Sequence, residues 1–315
     1  MANSHKEHRV NGFVRNFSYY LRRIYDPIYF YAFFLTFVDG LIGVAFRIVR
    51  GKRNRTNEFC FTQLVRIDRF RMRKFWKKDR YDFKGIYFPQ LPLELGNIGQ
   101  VYEDVLKVFV EHDDKYNWQY VDKLDKRIPE GVYCYEGPNG EDITVKPGYT
   151  VIDAGAWIGD FSAYAAKKGA KVYAFEPSKK NQEYLKKTVE YNGNIFVETS
   201  GLGERDEILG FSDNSVGSHF GEGADKINVV SLDSWVKKNN IRKIDFIKAD
   251  IEGAERSMLL GAKEVLAKHK PILSICTYHL WDDPLVLENI IREANPKYIV
   301  VQRKLKLFAY VPRGD

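Results

Sequence analysis

The chain has 315 residues, 44% of them apolar, enough to bury a full α/β core beside an N-terminal extension, which excludes a small stapled scaffold. Its three cysteines, Cys60, Cys134 and Cys276, are widely spaced and form no CxxC pair, which argues against a disulfide framework or a structural zinc site and fits a reducing, cytoplasmic compartment. The net charge of +7 is uneven: residues 1–80 hold 18 Lys and Arg against 6 Asp and Glu, leaving 31 against 36 beyond, so the basic surface is N-terminal.

Ile28 to Phe46 is almost continuously apolar and aromatic, broken by Thr36, Asp39 and two glycines. Its length approaches a membrane span, but Asp39 near its centre would cost about 2.5–3.5 kcal/mol there. Arg22 and Arg23 precede it, and Arg47, Arg50, Lys52, Arg53 and Arg55 follow it. Basic flanks at both ends favour a helix or hairpin lying in an anionic leaflet, so residues 22–55 are read as a membrane-surface contact. A true span and a helical cap on the rest of the protein are the alternatives. The stretch Arg66 to Arg80 mixes basic residues with Phe70, Phe75 and Trp76. An amphipathic membrane-surface helix is favoured there over a nucleic-acid surface.

Pro89 to Gly99 reads as a connection, and Val101 to Asp113 as an amphipathic helix, giving an N-terminal region over 1–88, a helical connection over 89–130 and a catalytic domain over 131–315. From Gly131 a hairpin is expected, Val132–Tyr135 turning at Gly137–Gly140 into Ile143–Val145. Strands follow at Thr150–Asp153, Lys171–Phe175, Asn194–Glu198, Ile244–Ala249, Ile272–Thr277 and Tyr298–Val301. Helices are expected between them at Phe161–Lys168, Lys179–Tyr191, Leu232–Lys238, Ala254–Ala267 and Pro284–Glu293. Such alternation implies an α/β fold with a mostly parallel sheet, helices on both faces and ligands at the strands' carboxyl ends. Tyr298–Gln302 and Leu305–Val311 form a terminal antiparallel hairpin. His219, in the glycine-rich run Gly217–Gly223, is assigned to a surface loop.

Three segments carry chemistry. In the first, Val151 to Asp160, a buried strand ends at Asp153 and a glycine loop opens a helix; Gly155, Ala156, Trp157 and Gly159 bring backbone within reach of a cofactor. The loop is G-x-x-x-G, unlike the G-x-G-x-x-G that meets a pyrophosphate, which counts against a nicotinamide-dependent oxidoreductase. In the second, Phe175-Glu176-Pro177, a carboxylate stands 23 positions after Asp153, where it can accept the two hydroxyl protons of a ribose. In the third, Ile244 to Glu255, Asp250 and Glu252 stand at a strand's mouth, where a carboxylate can orient or deprotonate an acceptor hydroxyl. A helix N-terminus favouring negative charge would also explain Glu252 and Glu255. His279, after the next strand and flanked by Tyr278, Trp281, Asp282 and Asp283, is a candidate proton acceptor. Asp250, Glu252 and His279 include metal-ligand types, but their spacing defines no geometry, and no metal is assigned.

The run D-x-G-A-x-x-G, then F-E-P, then I-D-F-I-K-x-D-x-E-G-A-E, then Tyr278-His279, resembles the FkbM-type methyltransferases over about residues 131–312. The resemblance implies a Rossmann-like class I methyltransferase fold with S-adenosylmethionine as donor, and O-methylation of a sugar, glycan, lipid-linked hydroxyl or other small molecule. It carries Asp153, Gly155, Gly159, Glu176 and Asp250 over as cofactor-region positions. It also implies Asn where this chain has Trp157; at positive φ a large aromatic would be strained. A membrane-tethered binding protein on an inactive methyltransferase fold is the alternative that Trp157 keeps open.

Overall fold

The computed structural model describes residues 72–92, 98–101, 133–136, 141–212, 219–220, 225–303 and 305–312. The chain divides between Arg73 and Lys74 into two units, and all but two of the described residues belong to the second. Ile28–Phe46, its basic flanks and nearly all of the helix expected over Val101–Asp113 lie outside the described residues. Among the described residues no helix is long and apolar enough to cross a membrane.

The membrane-surface helix expected up to Arg80 is corrected where it can be seen. Trp76–Lys77 (β1), Arg80–Asp82 (β2) and Tyr87–Pro89 (β3) form an antiparallel sheet, so Pro89 ends a strand and does not open a connection. Tyr81, Phe83 and Phe88 are buried, and the Trp76 and Tyr81 rings meet edge to face at 4.8 Å. Aromatics at a spacing of two bury together on one side of a strand, whereas a helix would scatter them.

Ile98–Val101 (α1) is a single turn. Tyr135–Glu136 (β4) and Asp142–Ile143 (β5) pair as expected, in a two-stranded sheet of their own. Next come Thr150–Ala154 (β6), Asp160–Lys167 (α2), Lys171–Phe175 (β7), Lys179–Asn192 (α3) and Ile195–Glu198 (β8). Gly201–Leu202 (β9), Glu207–Ser212 (β10), His219–Phe220 (β11) and Asp225–Val230 (β12) form a four-stranded sheet, where the sequence reading had only a loop. His219 therefore lies on a strand, paired with Ser212. Leu232–Lys238 (α4), Phe246–Ala249 (β13), Glu255–Leu260 (α5), Lys263–Lys268 (α6), Ile272–Cys276 (β14), Asp283–Ala294 (α7), Ile299–Arg303 (β15) and Lys306–Tyr310 (β16) complete the chain.

The main sheet runs β15-β16-β14-β13-β6-β7-β8, parallel except for β16, which is antiparallel to both its neighbours. The expected α/β class with a terminal antiparallel hairpin is the observed one. β6 and β13 are adjacent although nearly a hundred residues apart, because the chain adds β7 and β8 on one side and returns to add β14 on the other. That reversal opens a crevice beyond the carboxyl ends of β6 and β13.

Helices cover both faces, so the central strands are buried on both sides and read as apolar runs. On one face Phe161 of α2 stacks on Phe246 of β13, with ring centroids 5.8 Å apart. On the other, Trp235 of α4 meets Tyr173 and Phe175 of β7 edge to face at 4.8 and 5.2 Å. The three-stranded sheet docks on α3: Asn192 Oδ1 accepts from the Tyr87 N–H at 2.9 Å, and Asn192 Nδ2 donates to the Tyr87 carbonyl at 2.7 Å.

The single helix expected over Ala254–Ala267 is two helices. The Asp233 carboxylate accepts the Glu264 and Val265 N–H groups, each at 2.9 Å, while the Asp233 N–H donates to the Gly261 carbonyl. A side chain from α4 thus caps a new helix start in mid-sequence, a tertiary contact that overrides a continuous apolar pattern.

Candidate active site

β6 ends at Ala154, and the chain turns at once. Gly155 has φ +72°, and a Cβ there would stand 2.0 Å from the Asp250 carbonyl oxygen, so the close approach of the β6 and β13 ends requires glycine. The N–H groups of Gly155 and Ala156 both donate to the Phe175 carbonyl at 3.0 Å, tying the loop to the end of β7. Gly159 is the N-cap of α2 at φ +85°, packed against Leu185 and Thr188 of α3.

Trp157, at the loop's centre, has φ +51°, the strained left-handed conformation that its bulk makes costly. Its indole Nε1 is buried with no hydrogen-bond partner. Its backbone N–H donates to Glu176 Oε2 at 2.7 Å.

Glu176 follows the end of β7 and is 4% exposed. Its Oε1 accepts from the Ser178 N–H at 2.9 Å and from Asn181 Nδ2 at 3.3 Å. Burial pushes its carboxyl up to about 7, against these hydrogen bonds and the charge of Lys248. Pro177 makes the turn into Ser178, whose side chain caps α3 by accepting the Asn181 N–H.

Asp153 does not share that edge. It is fully buried on the α2 face, with Oδ1 3.0 Å from Lys248 Nζ and Oδ2 accepting from Ser162 Oγ at 2.6 Å. Lys248 stands opposite Asp153 in the β6–β13 register and also donates to the Gly155 carbonyl at 2.7 Å. Burial alone would lower the Lys248 pKa, but Asp153, Asp250 and Asp160 together raise it, so the ammonium stays charged. Asp153 therefore anchors Lys248 and, through it, the glycine loop, and has no exposed surface to offer a ligand. Lys248 escaped the sequence reading although it left a signal: a lysine in an otherwise apolar strand must find an anion or unfold the strand.

A second cluster lies beyond β13 and β14. Asp250 Oδ2 accepts from Tyr133 Oη at 2.8 Å and Oδ1 from Tyr278 Oη at 2.7 Å. Burial would raise its pKa, but Lys248, His279 and Lys306 hold it down at about 2. Glu252 is about a third exposed and has φ +54°. Glu255, buried, accepts from the Ile251 N–H at 2.9 Å and the Gly253 N–H at 3.0 Å. His279 sits among all three: Nδ1 is 2.9 Å from Glu255 Oε1, and Nε2 is 3.4 Å from Glu252 Oε2 and 3.6 Å from Asp250 Oδ1. Burial lowers the imidazole's pKa, but Glu252, Glu255 and Asp250 outweigh it and lift it to about 10. The carboxylates around the ring thus favour its protonated form wherever no other cation is present. Arg256 holds the loop beneath it, donating from Nε to Asp283 Oδ1 at 2.7 Å and pairing with Asp282. Tyr133 left no signal in the sequence because its contact spans 117 positions, and Glu255, expected only as a charge at a helix start, also faces the imidazole. Asp250 and Glu252, two positions apart, thus converge with His279 from beyond the next strand, with potential ligand atoms all within 4.8 Å of one another.

Residues 153–298 match the family model described as Methyltransferase FkbM domain. This region is an FkbM-type methyltransferase domain. None of the curated proteins matches the sequence. Among solved structures, the chain is similar to the methyltransferase FkbM from Methylobacillus flagellatus KT, at 20% identity and a TM-score of 0.44, covering 82% of this chain. This chain spans 60% of that protein's length. It is also similar to a fibrillarin pre-rRNA processing protein from Methanococcus jannaschii, at 13% identity and TM-score 0.36, covering 56% of this chain and 71% of that one. A third is the Aeropyrum pernix fibrillarin with natively bound S-adenosyl-L-methionine, at 11% identity and TM-score 0.36, covering 54% and 69%. In the methyltransferase domain the glycine loop lies at one side of the crevice and the Asp250–His279 cluster at the other.

Proposed function

We propose that the chain binds S-adenosylmethionine between the Gly155–Gly159 loop and Glu176 and transfers its methyl group to a hydroxyl of a sugar, glycan or lipid-linked acceptor. The observation that carries the reading is the Glu176 carboxylate, held against the glycine loop by the Trp157 N–H inside a domain of this family. The residues fit such a donor. Glu176 offers acceptor lone pairs for a ribose diol, and the buried, unpartnered Trp157 indole N–H offers a donor for a ligand acceptor. Bound there, S-adenosylmethionine supplies a methyl group on a sulfonium.

The chain's own residues then align an acceptor oxygen with that methyl and manage its proton. Asp250 is held by two tyrosine hydroxyls and is strongly acidic, so it orients and does not take a proton. His279, set among Asp250, Glu252 and Glu255, organises these carboxylates. Glu252, the partly exposed member of the cluster, receives the acceptor's proton as its oxygen forms the new bond to carbon. Alignment supplies most of the acceleration. Trp281, two residues beyond His279 and 93% exposed, gives a sugar ring or lipid an apolar face at the mouth. The basic flanks of Ile28–Phe46 support an acceptor carried at a membrane surface.

Incubating the full chain with methyl-labelled donor and membrane extract tests the reading. Label is expected in a lipid or glycan fraction, and label confined to protein counts against it.

A further inference from the structure

We propose that Asp250, Glu252 and His279 form a site for one first-row divalent cation, with His279 Nε2 and one oxygen from each carboxylate as ligands. The site stands or falls without the methyl-transfer reading.

Spacing is the first argument. Two ligands each about 2.1 Å from one ion, at the angles of octahedral or tetrahedral coordination, lie about 3.0–3.4 Å apart. His279 Nε2 is 3.4 Å from Glu252 Oε2 and 3.6 Å from Asp250 Oδ1, close to that spacing, while the three ligand atoms together lie within 4.8 Å of one another, so a cation among them draws the two carboxylates inward by rotation of the partly exposed Glu252 side chain.

The imidazole supplies the second. The His279 side chain is only 9% exposed, and Nε2 makes no hydrogen bond of acceptable geometry even though it points between two carboxylates. A buried ring nitrogen without a partner is costly, and a cation would give it one.

The surroundings supply the third. Nδ1 faces Glu255 Oε1 at 2.9 Å, and Glu255 is itself fixed by two backbone N–H groups, which leaves Nε2 as the ligating nitrogen. Nδ1, like Nε2, lacks a hydrogen bond of good geometry, and a small turn of the ring toward Glu255 would complete the carboxylate–histidine–metal arrangement in which an outer carboxylate fixes the ring's tautomer and direction. Asp250 is likewise held from behind by the hydroxyls of Tyr133 and Tyr278. Such outer support has a metal-site logic that a plain ion-pair cluster does not need.

One nitrogen with two carboxylates suits Mn²⁺ or Zn²⁺ better than Ca²⁺, which collects six to eight oxygens. Three protein ligands leave coordination positions open, as in sites that bind a substrate. Glu252 presents Oε2 to the ring, leaving its other oxygen for an acceptor.

The test strips the full-length protein with a chelator and titrates it with Mn²⁺, followed by electron paramagnetic resonance with Zn²⁺ as competitor. One Mn²⁺ per chain is expected, with His279→Ala abolishing the site and Glu252→Gln weakening it at least about tenfold. No saturable binding by the folded protein, or binding that survives both substitutions, overturns the proposal. Should His279→Ala fail to fold, Glu252→Gln on a partly exposed side chain decides alone. Donor binding is measured on the same samples: its absence beside intact Mn²⁺ binding refutes only the donor site, and the reverse result refutes only the cation.

Discussion

Two charged clusters lie at the carboxyl end of the central strands, and they are built on opposite terms. In the inner one, Asp153 and Lys248 are almost wholly removed from water, with one carboxylate oxygen accepting from Ser162 and the other ion-paired to Lys248 at 3.0 Å. In the outer one, Asp250, Glu252 and His279 are partly open, and the imidazole meets its carboxylates without good hydrogen bonds. The same residue types therefore do different work. A closed ion pair shapes the glycine loop, whereas a more open, crowded cluster keeps interaction capacity for a ligand.

The largest expected effect falls on the inner pair. Lys248→Met leaves Asp153 buried without a cation and should cost about 3–5 kcal/mol in urea unfolding. Lys248→Met combined with Asp153→Leu should recover much of that loss, since a matched apolar pair avoids desolvation. A mild effect of Lys248→Met alone would erase the distinction between the clusters. On the outer side, Glu252→Gln should lower the methyl-transfer rate by about 10²–10⁴ with little change in unfolding free energy. Loss of stability without loss of rate would move Glu252 to the structural class.

Smaller effects sharpen the same contrast at the loop. Trp157→Phe removes the buried, unpartnered N–H together with the five-membered ring, two effects of opposite sign on the free protein, so stability should change little while the donor binds about five- to tenfold more weakly. Thermal melting with and without donor reads both. The pH dependence follows from Glu176, whose carboxyl is raised to about 7 in the free protein. Only the ionised form accepts both ribose protons, so donor affinity should rise as pH passes upward through 7, and Glu176→Gln should flatten that rise in calorimetric titrations.

The strand–helix alternation was legible because each strand is buried on both faces and each helix on one, patterns that local composition records. The loop from Gly155 to Gly159 and the turn at Glu176-Pro177 were legible as well, since glycine and proline mark backbone requirements that few other residues meet. The four-stranded sheet β9–β12 was not read, although Asp225–Val230 alternates; its strands are short and its apolar core is small, built on Phe211, Ile227 and Val229. Asp153 was placed at the ligand edge because its partner lies 95 positions away on another strand, and no local pattern reveals such a pair. The surroundings of His279 were hidden for the same reason: Glu252 and Glu255, which face it, come from a different loop.

Calorimetric titration of the full-length chain with S-adenosylmethionine and with its demethylated product tests the account most directly. One site per chain is expected for both, weakened at least about tenfold by Glu176→Ala through loss of charge-assisted hydrogen bonds. No heat from either compound, or affinity indifferent to Glu176, would contradict it.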